Sequence, residues 1–359
     1  MIKESKDSFY GIKNMLNYKF IGIIFLFQIL IYFIIKKKFL RSIIKLKLID
    51  KPGKNKIHKS NIPVTGGIIL FISLIFYLIS SFLFTNNYPN NEIINVSVLI
   101  FFIGGCFAFF IGIIDDMLHL KVEKKILALS IFNILLFQQI IFFQTNIIIF
   151  DNSFFNLKIN SMSLGLIISV LFFLSYHHAL VILDGINGIF GLYSIIILAI
   201  FFFFFEMSPY ISNFILYLLL ILIFITILNF RNELFFGNSG SLLIASLIPY
   251  FVLYLYNQRQ NDFYSFHFFS LFIIPMLDMT RLFFIRLFAK KSPFSKDLNH
   301  FHHLLLKKYP LKLSLFIYLS LCFLPFFMIK FYYINPVIMV LIQITIFFYL
   351  AKKFKLKKT

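Results

Sequence analysis

The sequence predicts an all-α, polytopic membrane protein of about eleven transmembrane helices, with its N-terminus outside and its C-terminus in the cytoplasm. Three observations carry that prediction. First, 60% of the 359 residues are hydrophobic and the mean hydropathy is +0.91, too apolar for a soluble domain. Second, the apolar runs recur at about 20 residues, the length that crosses a bilayer. Third, Lys and Arg alternate sides unequally, 25 against seven, once Arg281 and Arg286 are placed inside the ninth span. The positive-inside rule assigns the richer side to the cytoplasm.

The spans follow from apolar runs between polar breaks. The first, 19–35, is followed by KKKFLRS and has no small-residue cleavage site, so it is read as a retained span and not a signal peptide. The second, 66–84, opens on Gly66-Gly67 and closes at the turn-rich TNNYPNNEIIN. The third, 96–114, ends at two adjacent carboxylates, Asp115 and Asp116. Spans at 126–143 and 164–182 follow, the latter stopping before LDGINGIFG. The next three are 189–205, closed by EMSPY, then 212–229, and 240–256, which opens on GNSGS. The last three are 264–287, 312–329 and 334–351, before a lysine-rich tail. With no internal repeat and no linker to a soluble domain, residues 1–359 read as a single transmembrane domain.

The net charge of +20 is mostly topology, so nucleic acid is not an expected partner. The 54 Phe without one Trp, beside abundant Ile, Lys and Asn, reflect an AT-rich codon usage, not an aromatic cage. Cys106 and Cys322 lie in separate apolar runs and form neither a CxxC pair nor a disulfide framework.

The polar signatures all fall on the side read as cytoplasmic. Asp115 and Asp116 repel each other and need a cation, a shared proton or several donors. That makes them candidates for a divalent-metal or phosphate site, against the plainer reading of a solvated pair balanced by Lys121, Lys124 and Lys125. Gly185, Gly188 and Gly191 around Asp184 give either a backbone approach to phosphate or simply a tight inter-helix turn. GNSGS reads the same two ways, with Asn238 or Ser239 as a helix N-cap. His300, His302 and His303 stand beside Lys290, Lys291, Lys296, Arg281 and Arg286, a loop that can hold a diphosphate. HxHH lacks the i, i+4 spacing of a helical zinc pair.

Together these segments resemble the polyprenyl-phosphate N-acetylhexosamine-1-phosphate transferases, glycosyl transferase family 4. The likeness runs from Lys51 to His303: KPGKNKIHKSNIPVTGG resembles the family's first cytoplasmic motif, Asp115-Asp116 its paired aspartates, Asp184-Gly185 its DG turn and GNSGS its GDxGS. The HFHH loop after KSPF is similar to the surface-polysaccharide branch. The resemblance implies transfer of N-acetylhexosamine-1-phosphate from a UDP-sugar to polyprenyl phosphate. The products are polyprenyl-diphospho-N-acetylhexosamine and UMP, in the initiating step of cell-envelope polysaccharide synthesis.

It also implies Mg2+, with Mn2+ as the alternative, held by Asp116, Asp184 and Asn238. Asp115, Asp116 and Asp184 are the implied catalytic acids, Asp115 as proton acceptor from the lipid phosphate or as metal organiser. Lys124 and Lys125 are implied for the lipid phosphate. Asn187, Arg286, His300, His302 and His303 are implied for the nucleotide sugar. The implied location is the bacterial inner membrane, multi-pass, with the site facing the cytoplasm and a homodimer as the implied assembly. Phosphoryl transfer asks mainly for positioning and charge neutralisation, which basic loops and a metal supply.

The chain departs from the family pattern at three positions. His178 and Val181 stand where two asparagines are usual, and Asn238 stands where GDxGS has its aspartate. Two alternatives accompany the transferase reading: a non-catalytic or altered-specificity relative that binds polyprenyl lipid or nucleotide sugar, and a transporter or lipid flippase. Against the latter, Asp278 is the only acid well inside a predicted span.

Overall fold

The computed structural model describes residues 19–34, 36, 46, 48–52, 60–84, 96–131, 148–152, 155–159, 162–257, 265–293, 295 and 297–355. The chain is mostly helical. It divides into two compact units, unit 1 comprising 1–119 with 194–243 and unit 2 comprising 120–193 with 244–359.

The helices in chain order are α1 (Lys19–Ile34), α2 (Gly66–Phe84), α3 (Val96–Leu118), α4 (122–131), α5 (Met162–Leu183) and α6 (Ile189–Phe204). They continue with α7 (Pro209–Phe230), α8 (Gly237–Asn257), α9 (Ser265–Phe288), α10 (Phe301–Leu306), α11 (Leu311–Tyr332) and α12 (Pro336–Lys355). Ten of the eleven predicted spans coincide with one of these helices to within about four residues. The fourth overlaps α4 at its start, and its remainder, 132–143, lies outside the described residues.

Among the described residues four helical stretches are long and apolar enough to cross a membrane: Pro209–Phe230, His267–Phe288, Leu311–Tyr332 and Pro336–Phe354. Five further apolar helical stretches are shorter, Lys19–Ile34 and Ile189–Phe204 among them. The protein is a membrane-embedded, multi-pass helical chain, since a helix satisfies its own backbone groups in hydrocarbon. Two short antiparallel strand pairs join the helices: β1 (Ile49–Asp50) with β2 (Ile62–Pro63), and β3 (Ile148–Asn152) with β4 (Phe155–Ile159). Neither pair has a signal in apolar periodicity, because each is at most five residues long.

In unit 1, small polar groups bind the apolar helices to one another, as they must where lipid offers no competing hydrophobic drive. Tyr217 on α7 donates to Ser73 O on α2 at 3.1 Å and to the side-chain oxygen of Gln28 on α1, while its ring stacks on Tyr77 at 4.6 Å. Phe71 on α2 stacks on Phe109 of α3 at 3.9 Å. The segment after β2 runs along the loop before α8: Phe235 N–H donates to Pro63 O at 2.9 Å, and Gly66 and Gly67 N–H donate back to Phe235 and Phe236 O at 2.9 and 3.0 Å. The end of the first polar motif is therefore paired with Phe235 and Phe236, the two residues that lead into GNSGS.

In unit 2, α9 packs against α5, α11 and α12, and α10 lies on α11 and α12. Buried Gln343 on α12 donates to Ser270 O of α9 and Leu321 O of α11, each at 2.9 Å. Tyr193 donates to Leu271 O at 2.9 Å, and Tyr176 meets Phe272 edge-on at 4.7 Å. A polar contact at the centre of an apolar helix bundle fixes which residues face inward, because moving it into lipid leaves a donor unpaired.

Candidate active site

In unit 1 the site is built from the end of α3 and the start of α8. α3 continues four residues past its predicted end and takes both aspartates into its last turns. It stops at His119, which adopts a left-handed backbone (φ 51) and donates its N–H to Asp115 O at 2.9 Å. Asp115 is buried, 5% exposed, and Asp116 is half-buried. Adjacent helical residues point about 100° apart, so the two carboxylates need not share one environment.

Asp116 faces the first turn of α8. Its Oδ1 accepts the Asn238 backbone N–H at 2.8 Å and the Asn238 side-chain amide at 3.0 Å, and its Oδ2 accepts the Ser239 N–H at 2.9 Å. These are N–H groups with no partner inside their own helix, and the positive end of the helix dipole adds to their pull on an anion. The close approach depends on two glycines. At Gly112, on the same face of α3, a Cβ would sit 2.6 Å from Ser239 N. Gly237 takes a left-handed backbone (φ 71), and a Cβ there would lie 2.8 Å from Asp116 Oδ2.

In unit 2 the DG turn and the histidine loop meet. Asp184 N–H donates to Val181 O at 3.3 Å as α5 ends, and Asp184 and Asn187 are half-buried. A Cβ at Gly185 would lie 3.3 Å from His303 Nε2, so the imidazole sits directly against the exposed glycine. The three histidines differ in environment. His303 is half-buried, His300 is 6% exposed and His302 only 1%. His300 and His302 stack nearly parallel with centroids 5.7 Å apart, and His302 and His303 are 4.4 Å apart. Burial first, and neighbouring imidazoles second, push His302 well below its ordinary value and His303 down from 6.5 to about 4. Without a bound anion both rings are therefore neutral at physiological pH.

The loop between α9 and α10 is held by two arginines. Arg286 Nε donates to Asp297 Oδ2 at 3.0 Å and Nη1 to Pro293 O at 2.8 Å. Burial alone would raise the Asp297 carboxyl, but the Asn299 N–H and the Arg286 guanidinium outweigh it and hold it below the usual carboxylate value. Arg281 Nη2 donates to Asp278 Oδ1 and to Asn299 O, both at 2.8 Å. The other oxygen of Asp278 takes His300 Nδ1 at 3.0 Å and the Phe301 N–H at 2.9 Å. Arg286 is 9% exposed and ties the loop together through Asp297 and Pro293 O. Sequence reading missed the part played by Asp278, Arg281 and Asp297. The Asp278/Arg281 spacing of three and the acid three residues before His300 were the available signals.

The structure thus brings Asp116 and Asn238 together in unit 1, and Asp184-Gly185 and His303 together in unit 2. Lys125 is buried, 7% exposed, and Lys124 is exposed, both at the start of α4 in unit 2. His177 and His178 lie on α5, His177 fully buried. Within either unit, among the described residues, no three His, Cys, Asp or Glu converge as a preformed metal cage. The donor set in unit 1, a carboxylate with spare lone pairs beside an amide oxygen, fits a hard cation such as Mg2+, which takes one or two protein oxygens and completes its shell with substrate phosphates and water.

Comparison with known proteins places this geometry in context. The sequence pattern of glycosyl transferase family 4 matches residues 98–256, the stretch containing Asp115, Asp116, Asp184 and Asn238. The chain is 25% identical over 294 residues to the undecaprenyl-phosphate alpha-N-acetylglucosaminyl 1-phosphate transferase of Yersinia pestis, covering 79% of this chain and 75% of that one. It is 24% identical over 291 residues to the protein of the same name from Escherichia coli K12, with the same coverage. The Thermotoga maritima protein of that name is 25% identical over 269 residues, 74% of this chain and 75% of its own.

Proposed function

We propose that the chain is a member of glycosyl transferase family 4 and a phosphoglycosyl transferase moving N-acetylhexosamine-1-phosphate from a UDP-sugar to undecaprenyl phosphate. An oxygen of the lipid phosphate attacks the β-phosphorus of the nucleotide sugar. The bond from that phosphorus to the bridging oxygen breaks, and UMP leaves with the bridging oxygen. The product is polyprenyl-diphospho-N-acetylhexosamine, which opens synthesis of a cell-envelope polysaccharide. The observation that carries this reading is the family likeness across 98–256, which contains the carboxylate pair and the N-terminus of α8 that receives Asp116.

The residues divide the work by chemistry. Asp115, buried beside Asp116, takes the proton of the lipid phosphate or organises the metal. Asp116 accepts three N–H bonds at the start of α8 and is oriented by Asn238. Asp116 and Asn238 are the oxygen ligands that unit 1 offers to Mg2+, with Mn2+ as the substitute. When bound, the ion neutralises charge on the diphosphate. In unit 2, Asp184 is the acid of the DG turn, and Asn187, Arg286, His300, His302 and His303 are assigned to the nucleotide sugar. His303 leads that group because it is the least buried imidazole of the loop. An anionic diphosphate beside a neutral imidazole favours its protonation, so binding is coupled to proton uptake. Lys124 and Lys125 are assigned to the lipid phosphate. The site faces the cytoplasm, where nucleotide sugars are soluble, of a bacterial inner membrane, and the proposed assembly is a homodimer.

The test is product formation in membranes from UDP-[14C]N-acetylhexosamine and polyprenyl phosphate. A lipid-soluble labelled product with release of UMP is expected. Binding of either substrate without product would favour the non-catalytic relative, and neither binding nor product would remove the reading.

A further inference from the structure

The one acid deep in a predicted span has both carboxylate oxygens hydrogen-bonded, and the transferase chemistry above leaves it unused. Asp278 lies on α9, 3% exposed. Both oxygens are taken: Oδ1 by Arg281 Nη2 at 2.8 Å, and Oδ2 by His300 Nδ1 at 3.0 Å and the Phe301 N–H at 2.9 Å. Two of those three partners, the guanidinium and the peptide N–H, can only donate. A carboxylate beside a guanidinium and a peptide donor is an acceptor, so the third contact is a hydrogen bond from Nδ1–H of His300. Arg281 also reaches Asn299 O at 2.8 Å, so the same pair holds the residue preceding His300.

We propose that Asp278, supported by Arg281, is the positioning residue for His300: it fixes the ring as the Nδ1–H form and leaves Nε2 as the atom that gains a proton and donates to the diphosphate of the nucleotide sugar. The hydrogen bond made by one ring nitrogen sets what the other can do. A free histidine distributes its proton between both nitrogens and rotates about χ2, and binding would have to select one arrangement. Here the selection is made in advance, because Asp278 bonds both the ring and the Phe301 N–H at the start of α10. A core ion pair made only for stability would not need to hold an imidazole and the backbone beside it at once. The proposal rests on the transferase reading for the identity of the ligand, but not for the pairing itself.

The test uses the full chain in lipid nanodiscs. 15N-histidine spectra, with His300 assigned by its disappearance in His300→Gln, should show Nδ1 protonated in the wild type. An unprotonated Nδ1 would overturn the proposal. Kinetically, Asp278→Asn should raise KM for the UDP-sugar about tenfold, the loss of one charge-assisted bond, and leave KM for polyprenyl phosphate unchanged. Added to His300→Gln it should cost nothing more, because its effect passes through that ring. Additive losses, or equal damage to both KM values, would show a structural role and overturn the proposal. Asp278→Glu keeps the charge and should retain the Nδ1–H form and most of the UDP-sugar affinity. If it instead loses both, carboxylate positioning is wrong. A wild type that turns over no UDP-sugar while His300 shows Nδ1–H would remove the transferase reading and the substrate role and leave the pairing standing.

Discussion

Asn238 turns its side-chain amide toward Asp116, donating from Nδ2 to Oδ1 at 3.0 Å, on top of its own backbone N–H to the same oxygen at 2.8 Å. An amide here neutralises nothing, but it satisfies a carboxylate that an aspartate at 238 would repel. In Asn238→Asp a second anion would stand about 3 Å from the first, and such a pair needs a cation or a shared proton. We predict that Asn238→Asp lowers the Mg2+ concentration for half-maximal rate and that its thermal midpoint becomes more Mg2+-dependent than wild type. Superimposable Mg2+ titrations with robust activity would show that the metal does not touch this position.

Removing the charge at Asp116 has a different consequence. In Asp116→Asn an NH2 group replaces one of two oxygens that together face three N–H donors, so at least one donor loses its acceptor. Turnover should fall at least about 100-fold while the protein still inserts, and the same holds for Asp184→Asn. Unchanged turnover in both variants would sink the assignment of these acids.

Gly237 offers a test of the geometry without changing a charge. Its φ of 71 is costly for any other residue, and a Cβ there would press on Asp116 Oδ2 at 2.8 Å. Gly237→Ala should cost about 1–2 kcal/mol from backbone strain, read by thermal denaturation, and should also reduce turnover. A variant that loses stability but keeps full turnover would show that Asp116 need not sit at this helix end.

The pH dependence follows from His303. Its folded value of about 4 lies below the ordinary 6.5, so between those limits the unfolded chain binds more protons than the folded one. The stability it contributes is present above about 6.5 and is lost as pH falls toward 4; His302 acts in the same direction. The thermal midpoint should therefore drop on acidification through that window, and His303→Gln should flatten the drop. A profile identical in wild type and variant would refute the neutral imidazole at His303.

Orientation is tested by reporter fusions. With 25 basic residues on one side against seven, fusions after Lys59 and after His303 should both read as cytoplasmic. An external reading for either would remove the proposed face of the site.

Element positions were legible in the sequence because they are local. Apolar run length and the residues that interrupt it decide where a helix can lie in lipid, and ten predicted spans find helices within a few residues. The motifs were equally visible as residue types: paired acids, a Gly-rich turn, a cluster of imidazoles. Tertiary structure alone decided how they were used. Asp116 and Asn238 are 122 residues apart, and only the packing of α3 on α8 through Gly112 makes the amide a donor to the carboxylate. Asp278 and His300 are 22 apart, and the fold turns an acid that looked merely deep into the partner of a ring. Among three neighbouring histidines, burial left His303 half-exposed against Gly185 and enclosed His302. Composition and spacing describe what each segment can do in water or lipid; hydrogen-bond partners depend on which segments meet, and that is set by contacts with no local trace in the chain.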